Sequence, residues 1–148
     1  MLRIITVLLG IFLLAQSAFA EQTRPEISQY IKGYKGAEGA VIWVMRIGPR
    51  DNHEVLVQIS HIDNKFDGHI FLCKEEISRE NERKYTTNID GKPFELLNSG
   101  NGNGRFFMPN EPVTGEWMNY SEELSSSDVA NPEHFLTAYL DQEAKKEK

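Results

Sequence analysis

The chain has 148 residues, of which 40% are hydrophobic and 26% charged, and its formal net charge is −6. An acidic protein repels nucleic acid and anionic lipid and favours basic partners, so we expect no nucleic-acid binding. Cys73 is the single cysteine, which excludes a small fold held together by internal disulfides.

The first twenty residues have the pattern of a secretory signal peptide. Arg3 precedes an apolar run over residues 4–14, and a small-x-small cleavage site ends at Ala20. Polar Gln16 interrupts the run before it reaches the roughly 20 apolar residues that a membrane span needs. We therefore expect cleavage after Ala20 and a single soluble globular domain over residues 21–148, periplasmic or secreted, with no membrane segment after cleavage.

A short N-terminal helix is predicted from helical spacing. Four residues recur at i, i+3, i+4 and i+7: Ile27, Tyr30, Ile31 and Tyr34. This spacing places them on one face of a helix. Pro25 suits its first turn, and Gly33 and Gly36 are suitable stop signals.

Three strands are predicted next. Residues 40–47 are apolar on both alternating faces, which is typical of a central strand covered on both sides. Residues 55–60 alternate as a half-buried strand does, and residues 69–73 form a third apolar run. Turn residues at 48–52 and a polar loop at 63–68 separate the three strands.

Asp90-Gly91 is the clearest local signal in the chain, because this dipeptide favours a two-residue type I′ hairpin turn. The cross-strand pairs that follow are Ile89 with Lys92, Thr87 with Phe94 and Tyr85 with Leu96. Pro93 cannot donate a ladder hydrogen bond, so the second strand should lie at or near an edge of the sheet.

The C-terminal part of the chain predicts a mobile loop, two short strands and a helix. Residues 98–104 contain three glycines and three asparagines, which favours the loop, and the short strands follow at residues 105–108 and 115–120. The helix has Asn131 as N-cap, and Lys145 lies near its end, where a cation suits the helix dipole. Its apolar stripe consists of Phe135, Leu136, Tyr139 and Leu140.

These elements predict an α+β fold: a short N-terminal helix, an antiparallel meander of five to six strands and a C-terminal helix. A cystatin-like curved sheet packed against the helices is the first expectation. A small closed barrel with a terminal helix is the alternative.

Three histidines each have an aspartate two residues away, and such neighbours form a metal site where they converge. The pairs are Asp51 with His53, His61 with Asp63, and Asp67 with His69. A six-residue loop would pair Ile62 with His69, so that His61 and His69 project from opposite faces; an odd-numbered loop would reverse this. We interpret these residues as polar caps of strands and turns, and we expect no metal site and no cofactor.

Cys73 lies in an apolar run and is expected to be a buried structural cysteine. An intermolecular disulfide is the alternative. His69 is on the same side of the predicted strand, but four residues span about 13 Å, which excludes a thiol–imidazole hydrogen bond. No nucleophile, acid and base can be assembled from sequence spacing, so we do not expect an enzyme.

The interval from residue 111 to residue 143 contains eight acidic residues and no Lys or Arg. Trp117 and Tyr120 lie inside it, and aromatic anchors of this kind are enriched at protein interfaces. An acidic surface around them would speed association with a basic partner. The alternative is that Trp117 belongs to the core and the acids form a solvated face.

The glycine- and asparagine-rich loop is the second candidate contact, because adaptable loops on a rigid scaffold often bind partners. The predicted partner-binding residues are Trp117, Tyr120, Asn101, Asn103 and Arg105.

The sequence as a whole favours a small exported binding module, such as an inhibitor or immunity protein for a basic protein. The alternative function is a small-molecule-binding or metal-binding periplasmic protein that uses the His and Asp residues between positions 51 and 69.

Overall fold

Eight antiparallel strands close into one barrel in the computed structural model, which describes residues 23–148. The predicted signal peptide lies outside the described residues. The strands are β1 (Lys32–Gly36), β2 (Val41–Arg46), β3 (Glu54–Ser60), β4 (Ile70–Ile77), β5 (Arg83–Ile89), β6 (Lys92–Gly100), β7 (Asn103–Phe106) and β8 (Glu116–Tyr120). Two helices follow them, α1 (Glu122–Ser125) and α2 (Pro132–Lys146).

Each strand pairs with its neighbours in chain order, and β8 pairs with β1 through Tyr34 and Tyr120. This pairing confirms the small barrel with a terminal helix. The cystatin-like curved sheet is wrong, and so is the count of five to six strands. Closure leaves the sheet without free edges, which is one way in which all-β folds avoid edge-to-edge aggregation.

Alternate residues of the strands fill the barrel interior. Both alternating faces of β2 are apolar, as predicted for a strand covered on both sides, whereas β3 alternates between an apolar face and a mostly polar one that includes Leu56. One face points into the barrel, where the buried cluster consists of Tyr34, Ala40, Ile42, Val44, Val55, Val57, Ile59, Phe71, Cys73, Tyr85, Leu96, Leu97, Phe106, Met108 and Met118.

The other face of β2 and β3 is covered by α2. Met45 and Leu56 pair across the two strands and pack with Phe135 and Leu136 of the helix. As predicted, Asn131 is the N-cap, and its side chain accepts a hydrogen bond from the backbone N–H of His134. The fold therefore has two hydrophobic cores, one inside the barrel and one between α2 and the barrel wall.

The predicted N-terminal helix is wrong, because residues 32–36 form β1 and Ile27 makes a single bridge to Ile47. The four residues at helical spacing lie in different environments. Ile31 belongs to the core under α2, Tyr34 points into the barrel, and Tyr30 is exposed. Tertiary packing has overridden a weak local pattern, and Gly33, which disfavours a helix, is a strand residue.

The Asp90-Gly91 hairpin forms as predicted between β5 and β6. The predicted pairs of Ile89 with Lys92 and of Thr87 with Phe94 are confirmed. Tyr85 pairs with Leu97 and not with Leu96, because a bulge shifts the register between Tyr85 and Thr86. An extra residue of this kind lets two successive side chains be buried, and Leu96 and Leu97 are both fully buried.

Pro93 was expected at or near a sheet edge because proline cannot donate a ladder hydrogen bond. The sheet is closed, but in the described part of the chain one side of Pro93 has no neighbouring strand. β6 pairs with β7 only from Leu97 onward, so Pro93 has a ladder partner on the β5 side alone.

The loop predicted at residues 98–104 is wrong. β6 continues to Gly100, and β7 begins at Asn103, so that only Asn101 and Gly102 form the turn. Both turn residues have positive φ, 52° and 86°, as a type I′ turn requires. Asn-Gly is as strong a hairpin signal as Asp-Gly, so the correct interpretation was available in the sequence.

The connection between β3 and β4 is longer than predicted. β3 ends at Ser60 and β4 begins at Ile70, and Gln58 pairs with Ile70. The pairing of Ile62 with His69, expected for a six-residue loop, is therefore wrong, and the register is the one that the alternative, an odd-numbered loop, gives.

Candidate functional site

The barrel interior changes from apolar to polar toward one end. At this end, called the mouth, β1 begins, β6 ends, and the β6–β7 turn lies on the rim. Inward-facing residues near the mouth include Glu75, Arg83 and Ser99, whereas apolar side chains fill the barrel below them. Polar groups at the open end of a packed barrel are the usual setting of a binding site in such folds.

Arg83 and Glu75 form the central ion pair of the mouth, with 2.7 Å between Nη1 and Oε1. The Glu75 side chain is only 15% exposed, and the hydrogen bond with Glu75 raises the pKa of Arg83. Tyr34 and Tyr85 lie beside this pair, and burial raises the pKa of both phenols. Arg83 therefore stays charged and the two phenols stay neutral at neutral pH, and the contact between Arg83 and Glu75 is a fixed feature of the wall.

Two adjacent clefts occupy the mouth, and Lys32 and Arg83 line both. The smaller one, called the inner cleft, has a volume of about 260 Å³. Its lining consists of Lys32, Tyr34, Asn81, Arg83, Ser99, Gly100, Asn101, Gly102 and Tyr120. The larger one, called the wide cleft, has a volume of about 730 Å³ and extends under the N-terminal segment.

Among the described residues, the carboxylates of the mouth are all in ion pairs, whereas some of its cations are not. The three carboxylates of the wide cleft are all in ion pairs: Glu26 with Arg46, Glu54 with Lys74, and Glu75 with Arg83. Lys32 and Arg50 also line this cleft, and neither is in an ion pair within residues 23–148. The mouth is therefore locally cationic, although the chain carries a net charge of −6.

A third cleft, called the outer groove, lies on the outside of the barrel beside the same β6–β7 turn. It has a volume of about 400 Å³, and its lining includes Glu80, Glu82, Asn103, Arg105 and Trp117. Trp117 is 55% exposed. Its indole lies under the guanidinium of Arg105, 5.0 Å from the ring centre.

The predicted partner-binding residues all lie around the β6–β7 turn, but on two faces. Trp117, Arg105 and Asn103 line the outer groove. Tyr120 pairs with Tyr34, so it faces the inner cleft, where the two rings meet edge to face at 5.8 Å. Asn101, at the turn itself, lines both clefts.

Sequence reasoning missed the residues that define the mouth. Arg83 and Glu75 were not singled out from the sequence, and Lys32 was placed in a helix. One signal could have found them. Lys32-x-Tyr34 and Arg83-x-Tyr85 both place a cation and a tyrosine on one side of a strand end.

The acidic interval between residues 111 and 143 is spread over β8, the two helices and the connections beside them. Glu111 follows β7, Glu116 begins β8, and the other acids lie on or near the two helices. Three of the eight are paired with cations from outside the interval: Glu123 with Lys35, Glu133 with Arg24, and Glu143 with Lys146. The acids that line the outer groove, Glu80 and Glu82, come from outside this interval.

The histidine–aspartate neighbours are divided between the two ends of the barrel. Asp51 and His53 lie in the β2–β3 connection at the mouth, whereas His61, Asp63, Asp67 and His69 lie in the β3–β4 connection at the other end. Burial lowers the pKa of His69, which packs against Phe71. Within residues 23–148, no group of three or more His, Cys, Asp or Glu side chains is arranged to hold a metal ion.

Ser60 and His61 are in contact, with 3.2 Å between Oγ and Nδ1. The hydroxyl also donates to the backbone carbonyl of Val41, and His61 is exposed, with a φ of 62°. A serine nucleophile needs a base held by a third group. In the part of the chain that the structure describes, no carboxylate hydrogen-bonds to His61.

Cys73 is buried inside the barrel, as predicted, and only 1% of its surface is exposed. Burial raises the pKa of its thiol to about 12. A neutral, enclosed thiol is a poor nucleophile and a poor partner for an intermolecular disulfide.

No protein-family model matches the chain, and neither a curated protein nor a solved structure shows significant similarity to it. Of the helices over residues 23–148, none has the length and apolar character needed to cross a bilayer. The case for a function therefore depends on the clefts themselves.

Proposed function

We propose that this chain is an exported, non-catalytic binding module that docks a basic protein partner on the outer groove. An inhibitor or immunity protein for a basic enzyme is the kind of module meant. The observation that carries the proposal is Trp117, a large aromatic side chain that is 55% exposed in a groove with two acidic side chains. Tryptophan is among the residues most enriched at interface hot spots.

The charge of the groove favours a cationic partner. Neither Glu80 nor Glu82 is in an ion pair within residues 23–148. Arg105, the one cation in the lining, is held by Trp117 and by the carbonyl oxygen of Thr114 at 2.7 Å. A lysine or arginine of a partner could therefore approach the two glutamates, and complementary charge speeds such an encounter.

The groove is also largely pre-organised. Arg105 fixes the indole from one side, and Trp117 and Arg105 are directly paired residues of adjacent strands. Side chains that are already ordered lose less entropy on binding, which raises the affinity obtained from a given contact area. The amides of Asn98, Asn101 and Asn103 add polar groups around the anchor.

The test is affinity capture by residues 21–148 from the secreted or periplasmic fraction of the source cells, at low and moderate salt. We expect one basic protein to be retained, with weaker retention at higher salt. Trp117→Ala should weaken binding of that protein by about 30-fold, which is the effect of losing a hot-spot residue worth about 2 kcal/mol.

A matched pair of variants isolates the contribution of charge. Glu80→Gln with Glu82→Gln removes two charges from the groove, whereas Glu38→Gln with Asp90→Asn removes two at the opposite end of the barrel. Only the first pair should slow association with the captured protein. Equal binding by the wild type and Trp117→Ala, or equal slowing by both pairs, would show that the outer groove is not the docking surface.

A further inference from the structure

The inner cleft presents two cations and several hydrogen-bond donors to one small volume. Lys32, at the start of β1, and Arg83, at the start of β5, both line it, and the remaining polar groups are hydroxyls and amides. No Asp or Glu among the described residues lines this cleft. Glu122 lies just outside and accepts a hydrogen bond from the Tyr120 hydroxyl at 2.9 Å.

Lys32 has a defined direction. It pairs with Val44, a residue of the barrel interior, so its side chain starts on the inward side of the rim. It is in no ion pair within residues 23–148. A cation that points into a cleft without a counter-charge attracts an anion, and the low-dielectric walls strengthen the attraction.

The size of the inner cleft suits one charged group. A water molecule occupies about 30 Å³ in the liquid, so the inner cleft of about 260 Å³ holds a carboxylate or phosphate group with a few waters. Arg83 can share its guanidinium between Glu75 and such a group, because it carries five N–H donors.

The wide cleft continues from the same two cations and offers apolar walls. Ile27, Val44, Val55 and Ile77 contribute to its lining together with the ring of Tyr85. Its volume of about 730 Å³ is within the 300–1,000 Å³ or so that is usual for small-molecule sites.

We propose that the mouth binds a small amphipathic anion, with its carboxylate or phosphate between Lys32 and Arg83 and its apolar part in the wide cleft. This site is separate from the outer groove, and it does not depend on the docking of a basic protein there. It also differs from the predicted use of the His and Asp residues between positions 51 and 69, most of which lie at the other end of the barrel.

The test is isothermal titration of residues 21–148 with octanoate and with octyl phosphate, below the concentrations at which they form micelles. The matched probe is octyltrimethylammonium, which has the same chain and the opposite charge. We expect saturable binding of one or both anions, which also identifies the preferred head group, and no binding of the cation. Acetate and inorganic phosphate should bind at least tenfold more weakly, because they leave the wide cleft empty.

Three variants locate the head group. Lys32→Gln should weaken binding of the better anion about tenfold, which is the size of one charge-assisted hydrogen bond. Glu75→Gln should strengthen it several-fold, because Arg83 is then released from its counter-charge. Lys84→Gln, next to Arg83 but on the outer face, should leave it unchanged.

The gain expected for Glu75→Gln distinguishes the proposal from a merely structural effect, since a variant that only damaged the fold would lose affinity. The proposal fails if neither octyl anion binds, if octyltrimethylammonium binds as tightly, or if Lys32→Gln and Lys84→Gln have equal effects. Trp117→Ala, which tests the outer groove, should not alter the titration.

Discussion

The inner cleft and the outer groove lie on either side of the same β6–β7 turn and have opposite character. The inner cleft is lined by Lys32 and Arg83 with tyrosine hydroxyls, and the outer groove by two glutamates and the indole of Trp117. The difference arises from strand alternation, since successive residues point to opposite sides of the barrel wall. Trp117 faces out, and its neighbour Met118 is fully buried inside.

This comparison shows what net charge can and cannot predict. The charge of −6 agrees in sign with the outer groove, whose lining carries two glutamates and one arginine. It gives no hint of the cationic mouth, because the cations there are few and their position depends on where strands begin. Two clefts whose linings differ in charge can therefore share one hairpin.

The largest expected effect comes from breaking the hairpin that both clefts share. A Cβ on Gly104 would lie 2.0 Å from the carbonyl oxygen of Asn98 and 2.8 Å from the Cα of Ser99, both backbone atoms of β6. Because backbone cannot move aside locally, Gly104→Ala should lower the free energy of unfolding by about 3 kcal/mol or more. Urea unfolding measures the change.

Gly100→Ala is the matched control on the same hairpin. There the nearest atom to an added Cβ is the Cγ of Glu82 at 3.4 Å, the flexible part of an exposed side chain. Its unfolding midpoint should stay close to that of the wild type. Similar midpoints for the two alanine variants would mean that β6 and β7 do not approach each other as closely as described.

The second prediction tests whether water is excluded from the barrel interior below the Glu75–Arg83 ion pair. Burial raises the pKa of Cys73 from 9.0 to about 12, so the folded state keeps its proton at a pH where the unfolded chain has lost it. Stability is then fully present below pH 9 and falls as pH rises toward 12, by roughly 2–3 kcal/mol at pH 11. Urea unfolding at several pH values measures the fall.

Cys73→Ala should reduce this loss of stability at alkaline pH. A part of the loss should remain, because burial also raises the pKa of Tyr85. If both proteins show the same pH dependence, water reaches the thiol through the mouth. The inner cleft would then be deeper than its lining indicates.

Local signals account for the parts of the fold that sequence reasoning predicted. The Asp90-Gly91 turn fixes the β5–β6 hairpin, and Asn131 fixes the start of α2, because each acts through its own backbone neighbours. The apolar run of residues 40–47 is correctly interpreted as a strand covered on both sides. Its two covers, the barrel interior and α2, were not assigned.

The errors concern features that depend on distant contacts. The β1 region follows helical spacing, yet it is a strand because Tyr34 pairs with Ile42 and with Tyr120, which no local pattern shows. The Asn101-Gly102 turn is a different case, since its signal was local and was mistaken for a loop among many glycines and asparagines.

The candidate sites show the same division between local signals and distant contacts. Trp117 and Arg105 could be selected by residue type and neighbourhood, and they do lie together. Lys32 and Arg83 are 51 positions apart in the chain, and only barrel closure brings them to one cleft. A site assembled by closure cannot be derived from the spacing of its residues.

The third prediction concerns the ion pair of the mouth. Arg83→Gln leaves the carboxylate of Glu75, which is only 15% exposed, without its counter-charge. An unpaired, largely buried carboxylate is costly, so we expect a loss of about 2 kcal/mol in the free energy of unfolding. Urea unfolding measures the loss.

Lys84→Gln is the control for position. Lys84 lies next to Arg83 on β5 but on the exposed outer face, where it forms an ion pair with Glu95 of β6. Surface ion pairs contribute little to stability, so this variant should behave as the wild type. If Arg83→Gln proves as mild as Lys84→Gln, the mouth is more hydrated than the burial of Glu75 implies, and the contrast between the two clefts is smaller.

The smallest expected effect lies in the outer groove. Arg105 stacks on Trp117 and donates hydrogen bonds to the carbonyl oxygens of Thr114 and Gly115. At an exposed site a cation–π contact contributes about 0.5–1 kcal/mol, so Arg105→Ala should cost about 1 kcal/mol of stability. Its clearer signature is local: the indole loses its cover, and acrylamide should quench tryptophan fluorescence more strongly.

Trp43 is the internal reference for this quenching experiment, since it lies beside Gly33 and packs against the core under α2, away from the groove. Arg105→Ala should therefore change only the more accessible of the two tryptophan populations, and Trp117→Phe should abolish the difference between the two proteins. Unchanged quenching would mean that the guanidinium does not hold the indole. The outer groove would then have to order its anchor on binding, as a flexible site does, whereas the mouth is ordered beforehand by its ion pair.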